Sequence, residues 1–219
     1  MGYLLEVEVF RDLAPAEMGN IEQLTQMSTC HRGQVVYLPD ETGEVLYLIK
    51  QGRIQIYRLS PEGRKLVLMT LDKGAFFGEM ALVGQGMYGT YAEAVDDCVL
   101  CRITPQALER VLLAYPKVGV RFLRVLGRRL AETEDRLEEL AFKSVPARLA
   151  GLLLSLSDPA SHQVAGLTHQ DLAEMVGTYR ETATQVLDAF KGQGLIAIER
   201  KKIAILDAPG LERIASARG

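Results

Sequence analysis

One stretch, residues 167–190, constrains the fold of this chain more than any other. A first run has apolar residues at helical spacing, Leu172, Ala173 and Val176. A second run has apolar residues at i, i+3, i+4 and i+7, which are Ala183, Val186, Leu187 and Phe190. Gly177 permits a sharp turn between the two runs, and we expect Thr178 to cap the second helix. The pattern therefore predicts a helix-turn-helix.

The polar residues of the second predicted helix face away from its apolar stripe. They are of the types that reach base edges in a DNA major groove, where arginine pairs with guanine, glutamine with adenine and glutamate with cytosine. The predicted base-reading residues are Arg180, Glu181, Thr184 and Gln185. Glu181 has a second interpretation, because Thr178 and Glu181 also have the spacing of a capping box.

A second region, residues 33–103, consists of short β-prone runs separated by turn residues. Its glycines recur about every ten residues, which predicts antiparallel hairpins that close a β-sandwich or barrel. The predicted strands are residues 34–38, 45–50, 53–59, 65–71, 91–95 and 98–103. Residues 1 to about 30 are predicted to be helical, because their apolar residues lie three to five positions apart.

A long helix is predicted from about residue 116 to residue 142. Its apolar residues keep a three-four spacing between many charged residues, and this heptad pattern favours a parallel homodimer over packing on the same chain. The predicted seam is Leu123, Leu126, Leu130, Thr133, Leu137 and Leu140. Pro146 breaks the helix, so the predicted domains are residues 1–115, 116–143 and 144–219.

The C-terminal region ends in a predicted hairpin of residues 195–198 and 203–206. Basic residues at the tip of a hairpin beside a DNA-recognition helix are typical of a wing that contacts DNA phosphates. An exposed hairpin that its lysines keep soluble would have the same sequence pattern. The residues assigned to phosphate contacts are Thr168, Tyr179, Arg200, Lys201 and Lys202.

Three motifs carry a resemblance to a known family. The runs THQDL (168–172) and GTYRET (177–182) resemble the DNA-binding signature of the CRP/FNR family of bacterial transcription regulators. VLYLIKQG (45–52) resembles a hairpin of that family's effector domain, and FFGEMAL (76–82) resembles the start of its phosphate-binding cassette. Together with the features above, the resemblance covers nearly the whole chain.

The resemblance implies an α+β fold: an N-terminal β-sandwich of the jelly-roll, cyclic-nucleotide-binding type, a long dimerisation helix and a C-terminal winged helix-turn-helix. It also implies a homodimer that binds an inverted repeat in double-stranded DNA. Activation by contact with RNA polymerase is more common in the family than repression, and both stay open here. Acidic residues near the start, where a signal peptide has basic ones, predict a cytoplasmic protein. The alternative function is a small-molecule-binding module that acts through protein partners and no longer reads DNA.

An effector pocket is also implied by the resemblance, at Gly78, Glu79, Met80, Ala81, Tyr88, Gly89, Thr133 and Glu134. In members that bind cyclic AMP, an arginine of the cassette neutralises the phosphate. Tyr88 replaces that arginine here, and no Lys or Arg occurs between Lys73 and Arg102. We therefore expect cyclic AMP to bind weakly and predict no cofactor.

Three possibilities for this pocket stay open. The chain responds to a different or uncharged effector, it is competent for DNA without an effector, or it binds a cyclic nucleotide weakly with a cation from elsewhere. Gly78 and Glu79 also have a purely structural interpretation, as a turn glycine and a capping acid.

Several classes of protein are disfavoured by composition. In 219 residues with a net charge of −3, no apolar run reaches the roughly 18 residues of a membrane span, so no membrane association is expected. Cys98 and Cys101 have CxxC spacing, but residues i and i+3 of a strand point to opposite faces, which predicts core packing and no metal site. No nucleophile-base constellation or phosphate-cradling loop occurs, so we expect no enzyme activity.

Overall fold

The computed structural model describes residues 7–11, 13–37, 45–78 and 89–217. The chain divides into two compact units. The first contains Met1–Leu59 and Leu68–Arg129, and the second contains Ser60–Val67 and Leu130–Gly219. The chain therefore passes from one unit to the other at three places.

Within the described residues, eight strands form two antiparallel four-stranded sheets: β1 (Thr25–Cys30), β2 (Val35–Tyr37), β3 (Leu46–Gln51), β4 (Ile54–Leu59), β5 (Lys65–Leu71), β6 (Phe76–Gly78), β7 (Tyr91–Ala94) and β8 (Cys98–Ile103). The strand orders are β1-β8-β3-β6 and β2-β7-β4-β5. One core draws residues from both sheets, such as Ile49 and Leu100 from the first and Ile54 and Ala92 from the second. The predicted β-sandwich is thus confirmed.

The N-terminal prediction is wrong in part. The structure has a short 3-10 helix (Glu8–Phe10) and α1 (Pro15–Glu22), but Thr25–Cys30 is a strand that pairs with β8. Helical spacing of Ile21, Leu24 and Met27 continued into this strand by chance, because Met27 is exposed and does not belong to the core.

Two helices follow the β-sandwich. Thr104 caps α2 (Pro105–Ala114) by accepting a hydrogen bond from Ala107 N at 3.3 Å. The long helix, α3, spans Pro116–Phe142, as predicted. Its first part buries Val118, Phe122 and Val125 in a second core of the first unit.

The predicted seam of α3 lies largely outside these cores. Leu123, Leu130 and Leu137 are 66%, 60% and 67% exposed, and Leu140 and Thr133 are exposed as well. Leu126 differs from them, because it is half-buried against the first unit's core. The helix therefore packs on its own chain through one stripe and leaves a second apolar stripe uncovered.

The second unit contains the remaining elements: α4 (Val145–Leu156), β9 (Gln163–Ala165), α5 (His169–Val176), α6 (Arg180–Gly192), β10 (Ile196–Glu199), β11 (Lys202–Ile205) and α7 (Ala208–Ala215). The strands form an antiparallel sheet in the order β10-β11-β9. Leu149, Leu172, Leu187 and Ile203 are among the apolar residues of one core that joins these helices to the sheet. This is a winged helix-turn-helix, as expected. None of the described helices has the length and apolarity to cross a membrane.

Candidate functional site

The residues that flank α5, Thr168 and Gly177, fix the two ends of this helix. Thr168 caps α5, since its Oγ1 accepts a bond from Asp171 N at 3.2 Å while Asp171 Oδ2 accepts one from Thr168 N at 2.7 Å. Gly177 ends α5 in the left-handed conformation, at φ 71° and ψ 42°. A side chain is disfavoured in this conformation, so glycine fits the turn.

The predicted capping of α6 by Thr178 is wrong. Thr178 is buried, and its backbone N–H donates to Ala173 O at 2.9 Å, so it closes the end of α5 instead of starting α6. The residue before α6 is Tyr179, which makes no side-chain capping bond. The capping box with Glu181 is therefore absent, which leaves base reading as the open interpretation of that carboxylate.

The predicted reading face of α6 divides into exposed and engaged residues. Arg180, Glu181 and Gln185 are exposed, whereas Thr184 is half-buried. The hydroxyl of Thr184 lies 3.0 Å from Nδ1 of His169, the first residue of α5. This contact fixes α6 against α5. No role for His169 followed from the sequence, because helical periodicity does not show which residues of two helices meet.

A groove of about 430 Å³ separates the start of α5 and α6 from the β10–β11 hairpin. Four predicted site residues line it: Thr168, Arg180, Lys201 and Lys202. Three of these carry positive charge and come from two elements, against the one carboxylate of Glu199, so the lining of the groove is positive on balance. Neither Arg200 nor Tyr179 is part of its lining.

The tip of the hairpin is a two-residue loop, Arg200 and Lys201, between the paired residues Glu199 and Lys202. Lys201 has a φ of 55°, which is unusual for a residue with a side chain. Its carbonyl accepts a hydrogen bond from Gly166 N at 2.9 Å, beside β9. This bond fixes the loop and with it the backbone of the three basic residues Arg200, Lys201 and Lys202.

A second hairpin contributes to the same compact unit. In its tip, Ser60–Val67, the guanidinium of Arg64 lies 5.1 Å from the centre of the Tyr179 ring. Lys65 Nζ is 3.8 Å from Glu174 Oε2 of α5, and both side chains are mostly buried. The ring of Tyr179 is thus in contact with a cation of the protein itself, which the sequence could not show because the two residues are far apart along the chain.

The implied effector pocket is only partly described. Glu79, Met80, Ala81 and Tyr88 lie outside the described residues. A Cβ at Gly78, where φ is 120°, would collide with the carbonyl oxygen of Val45, so a glycine is required there by strand packing alone. Gly89 also has a positive φ, of 69°.

The remaining two pocket positions, Thr133 and Glu134, are exposed residues of α3. A cation that the sequence pattern did not indicate contacts the start of the cassette. Arg129 Nη2 donates to Phe76 O at 2.6 Å, and its guanidinium is 4.4 Å from the centre of the Phe76 ring. Because Phe76 begins the cassette segment, Arg129 is a candidate effector-site residue. Its place among the charges flanking a heptad gave no signal of this role.

The two cysteines with CxxC spacing lie on different sides of the strand that carries them. Cys98 belongs to the core between the two sheets and Cys101 to the core beside α3, so the CxxC residues do point to opposite sides of the strand. The described residues contain no cluster of three His, Cys, Asp or Glu that could hold a metal ion.

Comparison with known families gives two matches that together span most of the chain. Residues 28–115 match the cyclic nucleotide-binding domain, and residues 147–214 match the Crp-like helix-turn-helix domain. The second match contains the whole groove described above.

Individual proteins agree with these matches. The CRP-like cAMP-activated global transcriptional regulator of Mycobacterium tuberculosis is 30% identical over 97% of this chain and 98% of its own length. The crystal structure of a CRP/FNR-family transcriptional regulator from Thermus thermophilus is 31% identical, with a TM-score of 0.70 over 89% of this chain and all of the other. A CRP/FNR-family regulator from Eubacterium rectale, 24% identical, shares the fold with a TM-score of 0.79 over 97% of this chain and 99% of the other.

These relatives are transcription regulators and not enzymes. The helix-turn-helix, the β-sandwich and the near full-length similarity all point to one conclusion: the chain belongs to the CRP/FNR family of DNA-binding transcription regulators.

Proposed function

We propose that this regulator binds an inverted repeat in double-stranded DNA as a homodimer. The observation that carries the proposal is the groove described above. Arg180 of α6 lines it together with Thr168 at the start of α5 and two basic residues of the hairpin, Lys201 and Lys202. A base-reading side chain thus shares one surface with cations that attract phosphates. In this proposal Arg180, Glu181, Gln185 and Thr184 read bases, and Tyr179 and Arg200 join the phosphate contacts.

Dimerisation is supported by the uncovered stripe of α3. Three of its leucines, Leu123, Leu130 and Leu137, are mostly exposed in the single chain. Leucines repeated every seven residues on a charged helix are buried when the same helix of a second copy packs against them. Two reading helices about one DNA turn apart require such a two-fold axis, because each recognises one half of the repeat.

Independence of cyclic AMP is the second part of the proposal. The M. tuberculosis relative is cAMP-activated by name, but this chain has Tyr88 where an arginine would neutralise the phosphate. A phosphate held without a charge-assisted partner binds more weakly. Arg129 is a cation near the cassette, but its guanidinium is already engaged by the carbonyl and ring of Phe76.

We further propose that the protein is an activator that contacts RNA polymerase, in the cytoplasm. This part rests on the family alone, in which activation is more common than repression. An in vitro transcription assay on a promoter that carries the selected site tests it. Increased transcript with added protein is expected, and decreased transcript would show a repressor.

The DNA proposal is tested by selecting bound sequences from random duplex DNA with the purified protein at fixed salt, with and without cyclic AMP. Enrichment of one inverted repeat in both arms is the expected result. Enrichment only with cyclic AMP would contradict the independence from the nucleotide. Enrichment of an unrepeated half-site would contradict reading by a dimer, and no enrichment in either arm would contradict DNA competence without a further effector.

A further inference from the structure

Two of the three cysteines face each other across neighbouring strands. Cys30 is the last residue of β1, Cys98 is the first residue of β8, and the two are direct partners in the antiparallel register. Residues opposite each other in such a pair have Cα atoms about 4.5–5.5 Å apart. This separation falls within the range of about 4.4–6.8 Å that a disulfide bond spans.

The thiols also occupy a common environment. Both belong to the core between the sheets, with exposed fractions of 5% for Cys30 and 2% for Cys98. The Cys98 Sγ is 3.2 Å from Asp96 O and 3.3 Å from Arg53 O, which holds the thiol at the end of its strand. Burial raises the pKa of the Cys30 thiol to about 11, and the adjacent Cys98 thiol contributes to the rise. Both thiols of the pair are therefore protonated and neutral near pH 7.

The pair lies close to the protein surface despite its burial. The residues next to it, His31 and Asp97, have strongly exposed side chains whose Nδ1 and Oδ1 atoms are 3.5 Å apart. Asp97 Oδ1 also accepts a bond from Arg32 N at 2.9 Å, which ties the chain after β1 to the chain before β8. Both thiols of the pair keep a small exposed fraction, whereas Cys101 has none and is buried in the other core.

We propose that Cys30 and Cys98 are a redox modification site of the effector domain, which a small hydroperoxide converts to a cross-strand disulfide. Cys30, the more exposed of the two, attacks the terminal peroxide oxygen. The O–O bond breaks, Cys30 becomes a sulfenic acid, and an alcohol leaves, or water in the case of hydrogen peroxide. The sulfur of Cys98 then displaces the hydroxyl group as water. Two thiols lose two electrons and two protons in total, and the peroxide is reduced.

This site is independent of DNA reading and of any cyclic nucleotide. A protonated, buried thiol reacts slowly, because the thiolate is the nucleophile. We therefore expect oxidation to be much slower than that of an exposed low-pKa cysteine, but to give one defined product, since the partner sulfur is already opposite. The disulfide would join strands that are distant in sequence, so the melting temperature should rise on oxidation and return after reduction.

The test is oxidation of the full-length protein by hydrogen peroxide, followed by thiol counting and proteolytic mapping without reduction. No Lys or Arg lies between Lys73 and Arg102, so trypsin leaves Cys98 and Cys101 in one peptide. Mapping therefore uses the Cys101→Ala variant, in which a link to Cys30 identifies Cys98. We expect two thiols to disappear, a Cys30–Cys98 link and a reversible increase in melting temperature.

Matched variants separate the pair from unspecific oxidation. In Cys98→Ala and Cys30→Ala, the reversible rise in melting temperature should be lost, whereas Cys101→Ala should keep it. Disulfides between chains, sulfinic acids without a link, or unchanged thiols in Cys101→Ala after an excess of peroxide would each overturn the proposal. The mapping in Cys101→Ala remains decisive even if the other variants fold poorly, because it keeps both partner residues.

Discussion

Gly177 is the residue on which the geometry of the helix-turn-helix depends. Its left-handed conformation costs a residue with a side chain roughly 1–2 kcal/mol. A Cβ there would also lie 3.2 Å from Leu66 Cδ1, a tight contact. We expect Gly177→Ala to lower the free energy of unfolding by about 1–2 kcal/mol, as measured by chemical denaturation.

Gly192, the last residue of α6, provides the matched control. It has no positive φ, and a Cβ added there would meet nothing within 4 Å. Gly192→Ala should therefore leave the free energy of unfolding unchanged or raise it by about 0.5–1 kcal/mol. An equal loss in both variants would show that the turn conformation is not the cause.

Arg180 is the residue on which base recognition is expected to depend. Replacing it by alanine should cost about 1–3 kcal/mol of binding free energy and relax the preference at one base pair of each half-site. Binding of the selected repeat and of its single-base variants, measured at constant salt, tests this. Lys191→Ala, at the far end of the same helix, should leave the sequence preference intact. Equal weakening on all sequences would assign Arg180 to phosphates instead.

At the scale of elements, the β10–β11 hairpin combines a strained loop with positive charge. Lys201→Gly removes the side chain at a positive φ, so we expect equal or higher stability together with weaker DNA binding. Each lost phosphate contact should reduce the slope of log affinity against log salt by about 0.9. Arg213→Ala, on α7 outside the groove, removes a charge without changing that slope. An unchanged slope in Lys201→Gly would exclude this residue from the phosphate contacts.

The elements also show which parts of the fold the sequence could predict. Strands such as Lys65–Leu71 followed from β-prone runs between turn residues, and the long helix followed from the spacing of its apolar residues. The strand Thr25–Cys30 did not, since its position is determined by pairing with β8 rather than by an apolar pattern of its own. The start of α6 was predicted one residue early because Thr178 is a good capping residue, yet its N–H is used by the preceding helix.

The candidate site was likewise predictable only in part. Arg180, Lys201 and Lys202 could be proposed from their positions in a recognisable motif, and they do line one groove. The contacts of Arg64 with Tyr179 and of Arg129 with Phe76 could not, because each joins residues more than fifty positions apart. Such contacts depend on tertiary packing, which no window of the sequence contains.

At the scale of the whole molecule, the uncovered leucines of α3 predict the oligomeric state. Leu130→Asp places a charge in the middle of the proposed seam and should convert a dimer to a monomer in sedimentation experiments. Binding to the inverted repeat should decrease toward that of a single half-site. Leu113→Asp, at a more exposed leucine of α2, should leave the dimer unchanged. A monomeric wild-type protein, or dissociation by both variants, would contradict the seam.

The division of the chain into two units has a consequence for modular exchange. The unit that carries the helix-turn-helix is not one continuous segment, because it includes Ser60–Val67 as well as Leu130–Gly219. A chimera that receives only residues 130–219 leaves Lys65 behind, and with it the cation that pairs with Glu174. The surface around Gly177 that Leu66 covers would also be opened to solvent. Transplanting the DNA-binding unit to another regulator therefore requires two segments of this chain, Ser60–Val67 and Leu130–Gly219. The shorter segment has to be inserted within the β-sandwich of the other regulator.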